Sequence, residues 1–201
     1  MMAKTHLNFT LALSFTPIVI NPTLITSFSS IELIAMSIGL VLGSLLPDID
    51  EPNSTISRSS FFTLLFSWIL LLSGNKHRGF THKLIFPLII LIPTLLLWSF
   101  IPEGINFFLV ALSFGIFTHQ LGDMMVGGGK NRGGIYNYFS PFYTNNKTTK
   151  FLPKILRCKI YGIKERVYFI LFVSYNLFAI YTVLPPLLNS ILSGANNVQL
   201  F

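Results

Sequence analysis

The sequence predicts an all-α, multi-pass membrane helical bundle, and three observations predict it. Apolar residues make up 52% of the 201-residue chain and charged residues only 10%, whereas soluble domains carry about a quarter charged residues. The apolar residues fall into separate runs near 7–20, 31–46, 61–73, 84–101, 105–122 and 167–192. Nine of the fourteen Lys and Arg lie between Lys130 and Arg166, where the one acid is Glu165. A surface that water would accept cannot be built from this composition, so the chain expects lipid as its solvent. The basic stretch, placed between apolar spans, reads as a cytoplasmic loop at about 126–166 that obeys the positive-inside rule and meets anionic headgroups. That reading displaces direct nucleic-acid binding.

A crossing helix needs about 20 apolar residues. The runs at 84–101, 105–122 and 167–192 approach or exceed that length; the others are shorter and carry polar interruptions. Four to six membrane helices are expected, in a single membrane-embedded domain covering residues 1–201. Lys4 before the first apolar run resembles a secretion signal, but Asn8 and Pro17 interrupt the run and no small-x-small cleavage site follows. An uncleaved first helix is therefore expected. Pro47 should end the second helix and open a polar loop over 48–60. Gly74 to Gly79 makes a second break, and residues 126–153 form an irregular Gly-, Asn-, Tyr- and Lys-rich segment. The lone cysteine, Cys158, excludes an internal disulfide and a cysteine metal cluster; it reads as a surface residue.

Ionisable groups at membrane depth are costly, so each is a functional candidate. The chain has seven acids and four histidines, and most fall into four clusters: Thr5-His6, Pro47-Asp48-Ile49-Asp50-Glu51, His77-Arg78-Gly79-Phe80-Thr81-His82, and His119-Gln120-Leu121-Gly122-Asp123. Glu32, Glu103 and Glu165 stand apart as helix-end charges. His119 and Asp123, four apart, share one helix face and can grip one ion. Asp48 and Asp50 should sit on a non-helical exit after Pro47, serving neighbouring ions. His6, Asp48, Asp50, His77, His82, His119 and Asp123 are more ligands than one tetrahedral zinc needs, and suit two divalent ions with open positions for water. Thr5, Thr81 and Thr118 each precede a histidine, which suggests hydroxyls that hold the far imidazole nitrogen.

In order and content, these blocks resemble the signature of the YdjM-type family over roughly residues 3–145. The family comprises inner-membrane proteins described as metal-dependent hydrolases, with a LexA-binding label attached. It is thought to be distantly similar to zinc-dependent phospholipase C and P1 nuclease, all-helical phosphoesterases. The resemblance implies the same seven metal ligands, and Arg78 as the residue that holds a substrate phosphate. The expected activity is metal-assisted hydrolysis of a lipid ester, above all a phosphoester; the His and carboxylate ligands suit zinc, manganese or iron, and Glu51 is a spare carboxylate for the general base. Two alternatives come from other classes: a proton or metal-ion transporter with a His/Asp relay, and a LexA-binding regulatory membrane protein. If residues 61–73 cross the bilayer, Asp48 and His77 start on opposite faces. A shared site then needs a half-crossing helix or a position inside the bundle, and a site near the cytoplasmic side is expected.

Overall fold

The computed structural model describes residues 2–73, 79–126, 134–142 and 148–196. Six α-helices account for most of it: α1 (Ala3–Ile20), α2 (Ser30–Leu45), α3 (Phe61–Leu72), α4 (Ile85–Leu96), α5 (Glu103–Met124) and α6 (Ile163–Asn196). Short 3₁₀ turns link them, and a two-residue antiparallel ribbon pairs Ile135 and Tyr136 with Thr149 and Thr148. The expected all-α bundle is what the chain forms.

Local chemistry sets the helix bounds. At α2 the Ser29 hydroxyl accepts from Glu32 N–H while the Glu32 carboxylate accepts from Ser29 N–H at 2.6 Å, a reciprocal cap that satisfies two orphan donors. Glu32 is thus the helix-end charge the sequence indicated. Ser60 and Thr63 cap α3 in the same way. Pro47 lacks an N–H and cannot continue α2, so the chain tightens into a 3₁₀ turn over Leu46–Asp50. This corrects the expectation of a non-helical exit.

Helices α2 and α5 pack most closely. A Cβ on Gly39 would lie 2.4 Å from the Phe108 carbonyl oxygen, and one on Gly43 would lie 2.2 Å from that of Leu112. Across from them Gly115 approaches Gly43 and Ser44. Small residues four apart let two membrane helices touch backbone to backbone. The increasing residue pairs show that α2 and α5 run parallel. Contacts from Met2 to Glu165 and from Phe9 to Phe172 show that α1 and α6 run alongside each other in one direction. The C-termini of α2 and α5 therefore meet the N-termini of α1 and α6 at one end of the bundle.

The interior is polar and the exterior apolar. His6, His82, His119, Gln120, Glu165 and Asn106 are among the largest fully buried side chains, while Phe62, Leu72, Leu96 and Phe100 are each at least 76% exposed. This inversion suits a lipid solvent. Three helices among the described residues are long and apolar enough to cross: Ser30–Asp50, Glu103–Met124 and Ile163–Asn189. α3 and α4 are shorter apolar helices of 12 residues each, about 18 Å at 1.5 Å per residue against a core of about 30 Å. α1 is 18 residues long, but Thr5, His6, Asn8, Thr10, Ser14 and Thr16 make it more polar.

The segment after α5 also differs from expectation. It is tied back to the bundle by Phe151 N–H to Met124 O and Cys158 N–H to Met125 O, both 3.2 Å. α6 already begins at Ile163, inside the expected 126–166 loop. Cys158 is fully buried against Phe9, Met125 and Val126, not a surface residue. Burial pushes its thiol pKa up, so it is a packing residue.

Replacing Gly43 with Val should force α2 from α5 and cost about 1–3 kcal/mol, as overpacking does. Thermal unfolding in detergent should show a lower midpoint than for Ser37→Val, on the exposed face of the same helix. Equal midpoints would contradict the close approach.

Candidate metal centre

Four separate segments deliver ionisable side chains to the shared end of the bundle. α1 brings His6 in its second turn, and α5 brings His119 and Asp123 one turn apart near its end. The 3₁₀ turn after α2 brings Asp48 and Asp50, and a 3₁₀ turn at Phe80–His82 brings Thr81 and His82. With three residues per turn, side chains two apart point to different edges. Asp48 and Asp50 accordingly take different partners.

Asp48 Oδ1 lies 3.7 Å from His82 Nε2 and 3.6 Å from His119 Nε2. Asp123 Oδ2 lies 3.5 Å from His82 Nε2, and its other oxygen lies 3.4 Å from His6 Nε2. The His6 and His119 rings stack at 3.8 Å, and His82 meets His119 edge-on at 5.4 Å. Two groups of converging ligand atoms result, Asp48 with His82 and His119, and His6 with His119 and Asp123. All of these residues are buried except Asp48, whose side chain is 23% exposed. Asp48 marks the open side.

These separations are too long for hydrogen bonds, which run about 2.7–3.2 Å. They match the edges of a tetrahedron of ligand atoms, about 3.4 Å apart, around an ion with bonds of about 2.1 Å. The His119 ring is oriented to suit. Its Nδ1 donates to the Ser44 carbonyl at 2.7 Å, which fixes the tautomer and leaves the Nε2 lone pair facing Asp48. That nitrogen is buried and has no hydrogen-bond partner among the described residues. A lone pair aimed at a carboxylate is repulsive unless a cation stands between them. The residues fit a divalent metal.

Asp50 works from behind. It is 1% exposed, accepts from the Thr81 hydroxyl at 2.8 Å, and lies 3.5 Å from His82 Nδ1, the nitrogen away from Asp48. Thr81 Oγ1 is itself 3.1 Å from that nitrogen. A carboxylate behind a histidine orients the ring and raises its basicity. Among the described residues, Asp50 joins neither converging group, a placement the sequence could not distinguish from that of a direct ligand. Thr81 is the one Thr of the three that supports its own histidine. Thr118 instead bonds Thr10 at 2.7 Å, joining α5 to α1, and Thr5 Oγ1 has no hydrogen-bond partner among the described residues.

Three supports escaped the sequence reading. Gln120 Nε2 donates to the carbonyls of Thr81 at 3.2 Å and Lys83 at 3.0 Å, which clamps the turn that carries His82. Gly122 makes room for His6, since a Cβ there would lie 2.8 Å from His6 Nδ1. Glu165, set aside as a helix-end charge, is fully buried and accepts from Met2 N–H and Tyr161 N–H, so one carboxylate fixes the start of α1 as well as that of α6. Its signal was an acid alone in a basic stretch. Glu51 is half-buried and its carboxylate accepts from Asn53 in its own turn, at 3.2 and 3.3 Å; its contacts are there and not in the cluster. His77 and Arg78 lie outside the described residues.

Comparison with known proteins agrees with this picture at the level of the family. The model of the YdjM inner membrane protein family matches residues 1–185. The chain belongs to the YdjM family. Like the family, it is an inner membrane protein, and its three long apolar helices can span the bilayer. No curated protein and no solved structure matches it.

Without an ion, the carboxylates act on His82. Burial opposes its imidazolium, but Asp48, Asp50 and Asp123 outweigh burial and push its pKa up to about 9. A metal binds only the neutral ring, so below about pH 9 it must displace a proton. Apparent metal affinity should rise by up to about tenfold per pH unit from pH 6 and level off above 9. Competition with a chelating dye across that range would show it. Asp50→Asn should lower the His82 pKa and make the climb end at a lower pH. A flat profile in both proteins would contradict the assignment of His82.

Proposed function

We propose that this YdjM-family protein is a membrane-embedded, metal-dependent hydrolase that acts on lipid phosphoesters. The observation that carries the reading is the set of ligand atoms on Asp48, His82, His119 and Asp123, at 3.5–3.7 Å between neighbours, with a fixed imidazole lone pair and one open side. Asp48, His82 and His119 would hold one ion, with Asp123 beside them, and His119 also belongs to the group formed with His6 and Asp123. The second oxygen of Asp123, together with His6, offers a place for a second ion beside it. Nitrogen and oxygen donors in this number suit zinc, with manganese or iron as substitutes.

A divalent ion there supplies a Lewis acid and a water that ionises near neutral pH. The chain supplies the rest. Hydrolysis forms a P–O bond to the water oxygen, breaks the P–O bond to the leaving alcohol, and passes the proton to the alcohol. Asp48, at the solvent-facing edge, is positioned to take and return that proton. Glu51, just after the same turn, is a further carboxylate that could serve as general base. Arg78 keeps its role as the phosphate-holding residue, where a planar guanidinium gives two-pronged binding. The buried bundle excludes water from the other sides.

The location supports a lipid substrate. The basic residues that follow α5 return to the end of the bundle where the cluster lies, and the positive-inside rule sets that end toward the cytoplasm. Exposed Phe151, Ile155 and Ile163 alternate with exposed Lys150, Lys154 and Lys164, a surface suited to anionic headgroups.

Protein purified in detergent without chelators should carry one to two equivalents of transition metal and hydrolyse lipid phosphoesters when zinc or manganese is added. Asp48→Asn and His119→Ala should lose at least about a hundredfold in rate, and His6→Ala should lose metal down to one equivalent. Metal-dependent ion uptake in vesicles with no hydrolysis would instead favour a transporter.

A further inference from the structure

A second feature stands beside the cluster. Between the start of α1, the end of α2 and the approach to α6 lies a groove of about 460 Å³, lined by Lys4, Leu7, Leu45, Thr55 and Tyr161 along with the first residues of α1. That volume falls in the range of small-molecule sites, about 300–1,000 Å³. Two of its wall residues are sequence neighbours of residues in or beside the metal centre. Leu7 follows His6, and Leu45 follows Ser44, whose carbonyl fixes His119. Leu45 also precedes the 3₁₀ turn, where residues three apart stack on one edge, so Leu45 and Asp48 stand in line.

The groove has a built rim. The buried Glu165 carboxylate accepts from Met2 N–H on one side and from Tyr161 N–H, at 2.7 Å, on the other. Tyr161 is held at φ 62°, a left-handed conformation that a bulky residue seldom adopts, and its ring is 74% exposed. Strain of this kind persists where the surroundings over-determine it, often at ligand clamps. The charge is equally one-sided. Lys4 is exposed, lies 5.0 Å over the Phe169 ring, and has no carboxylate partner among the described residues. Exposed Lys159, Lys164 and Arg166 flank Tyr161 in sequence. Both oxygens of the neighbouring acid, Glu165, are engaged.

We propose that this groove binds a glycerophospholipid by its phosphate, with Lys4 meeting the phosphate and Leu7, Leu45 and Tyr161 meeting the glycerol and the upper acyl chain. The assignment rests on the hydrolase reading only in making that lipid the substrate; binding itself requires no reaction.

The full chain in detergent can be titrated with short-chain phosphatidic acid and followed by native mass spectrometry, with metal content measured on the same samples. Inorganic phosphate and a zwitterionic phosphatidylcholine serve as comparators. Lys4→Gln should weaken phosphatidic acid binding about tenfold, the value of one charge-assisted contact, while Lys4→Arg retains it and metal content is unchanged in both. Leu45→Trp, which fills the groove, should abolish binding. Wild-type affinity in both Lys4→Gln and Leu45→Trp, or inorganic phosphate binding as tightly as the lipid, would overturn the proposal. If the wild type binds the lipid through Lys4 yet holds no metal and hydrolyses nothing, the groove stands and the hydrolase reading falls. Metal-dependent hydrolysis unaffected by Lys4→Gln, with unchanged lipid affinity, retires the groove alone.

Discussion

Where α2 crosses α5, Gly39, Gly43 and Gly115 bring two backbones into direct contact, and the functional end of the protein is built outward from that contact. With the helices so close, the Ser44 carbonyl at the end of α2 reaches the imidazole of His119 on α5. A carbonyl that would otherwise be an orphan at a helix terminus thereby fixes a histidine. The turn forced by Pro47 then presents Asp48 to the same ring. A wider helix pair would separate the carbonyl, the histidine and the carboxylate together. The close approach has no hydrophobic driving force in lipid, so it depends on packing and on such interhelical hydrogen bonds.

The energetic logic of the bundle follows from its solvent. Three histidines and two aspartates at 3% side-chain exposure or less would be a heavy burden unless they are compensated, because unpaired polar groups in a low-dielectric interior cost several kcal/mol. Much of the compensation is visible. Thr81 serves Asp50 and His82, Gln120 serves the carbonyls of the His82 turn, and Glu165 serves two helix starts. Among the described residues, the His119 Nε2 lone pair has no hydrogen-bond partner and faces the Asp48 carboxylate. A cation is the group that both would accept.

Much of this was legible in the sequence, for reasons that can be named. The six apolar runs correspond to the six helices because lipid-facing residues make each run nearly continuous. The clusters stood out because ionisable residues are scarce in such a chain, so His6, Asp48, His82, His119 and Asp123 could each be singled out. Local spacing paired His119 with Asp123 correctly. It could not show that Asp50 stands behind His82, because that depends on which edge of a 3₁₀ turn faces a distant segment. Gln120, Gly122 and Glu165 were hidden for the same reason, as each acts across the fold on a partner far away in sequence. Cys158 was misjudged because charged neighbours suggest a surface, while the backbone at that point is drawn under α5.

X-ray absorption at the zinc edge tests the central claim most directly, on protein purified without chelators or reconstituted with one equivalent of zinc. The account predicts a first shell of only nitrogen and oxygen near about 2.0–2.1 Å, with the outer-shell scattering of imidazole, and loss of part of that imidazole signal in His119→Ala. A spectrum indistinguishable between wild type and His119→Ala, or a wild type that retains no zinc under these conditions, would contradict it.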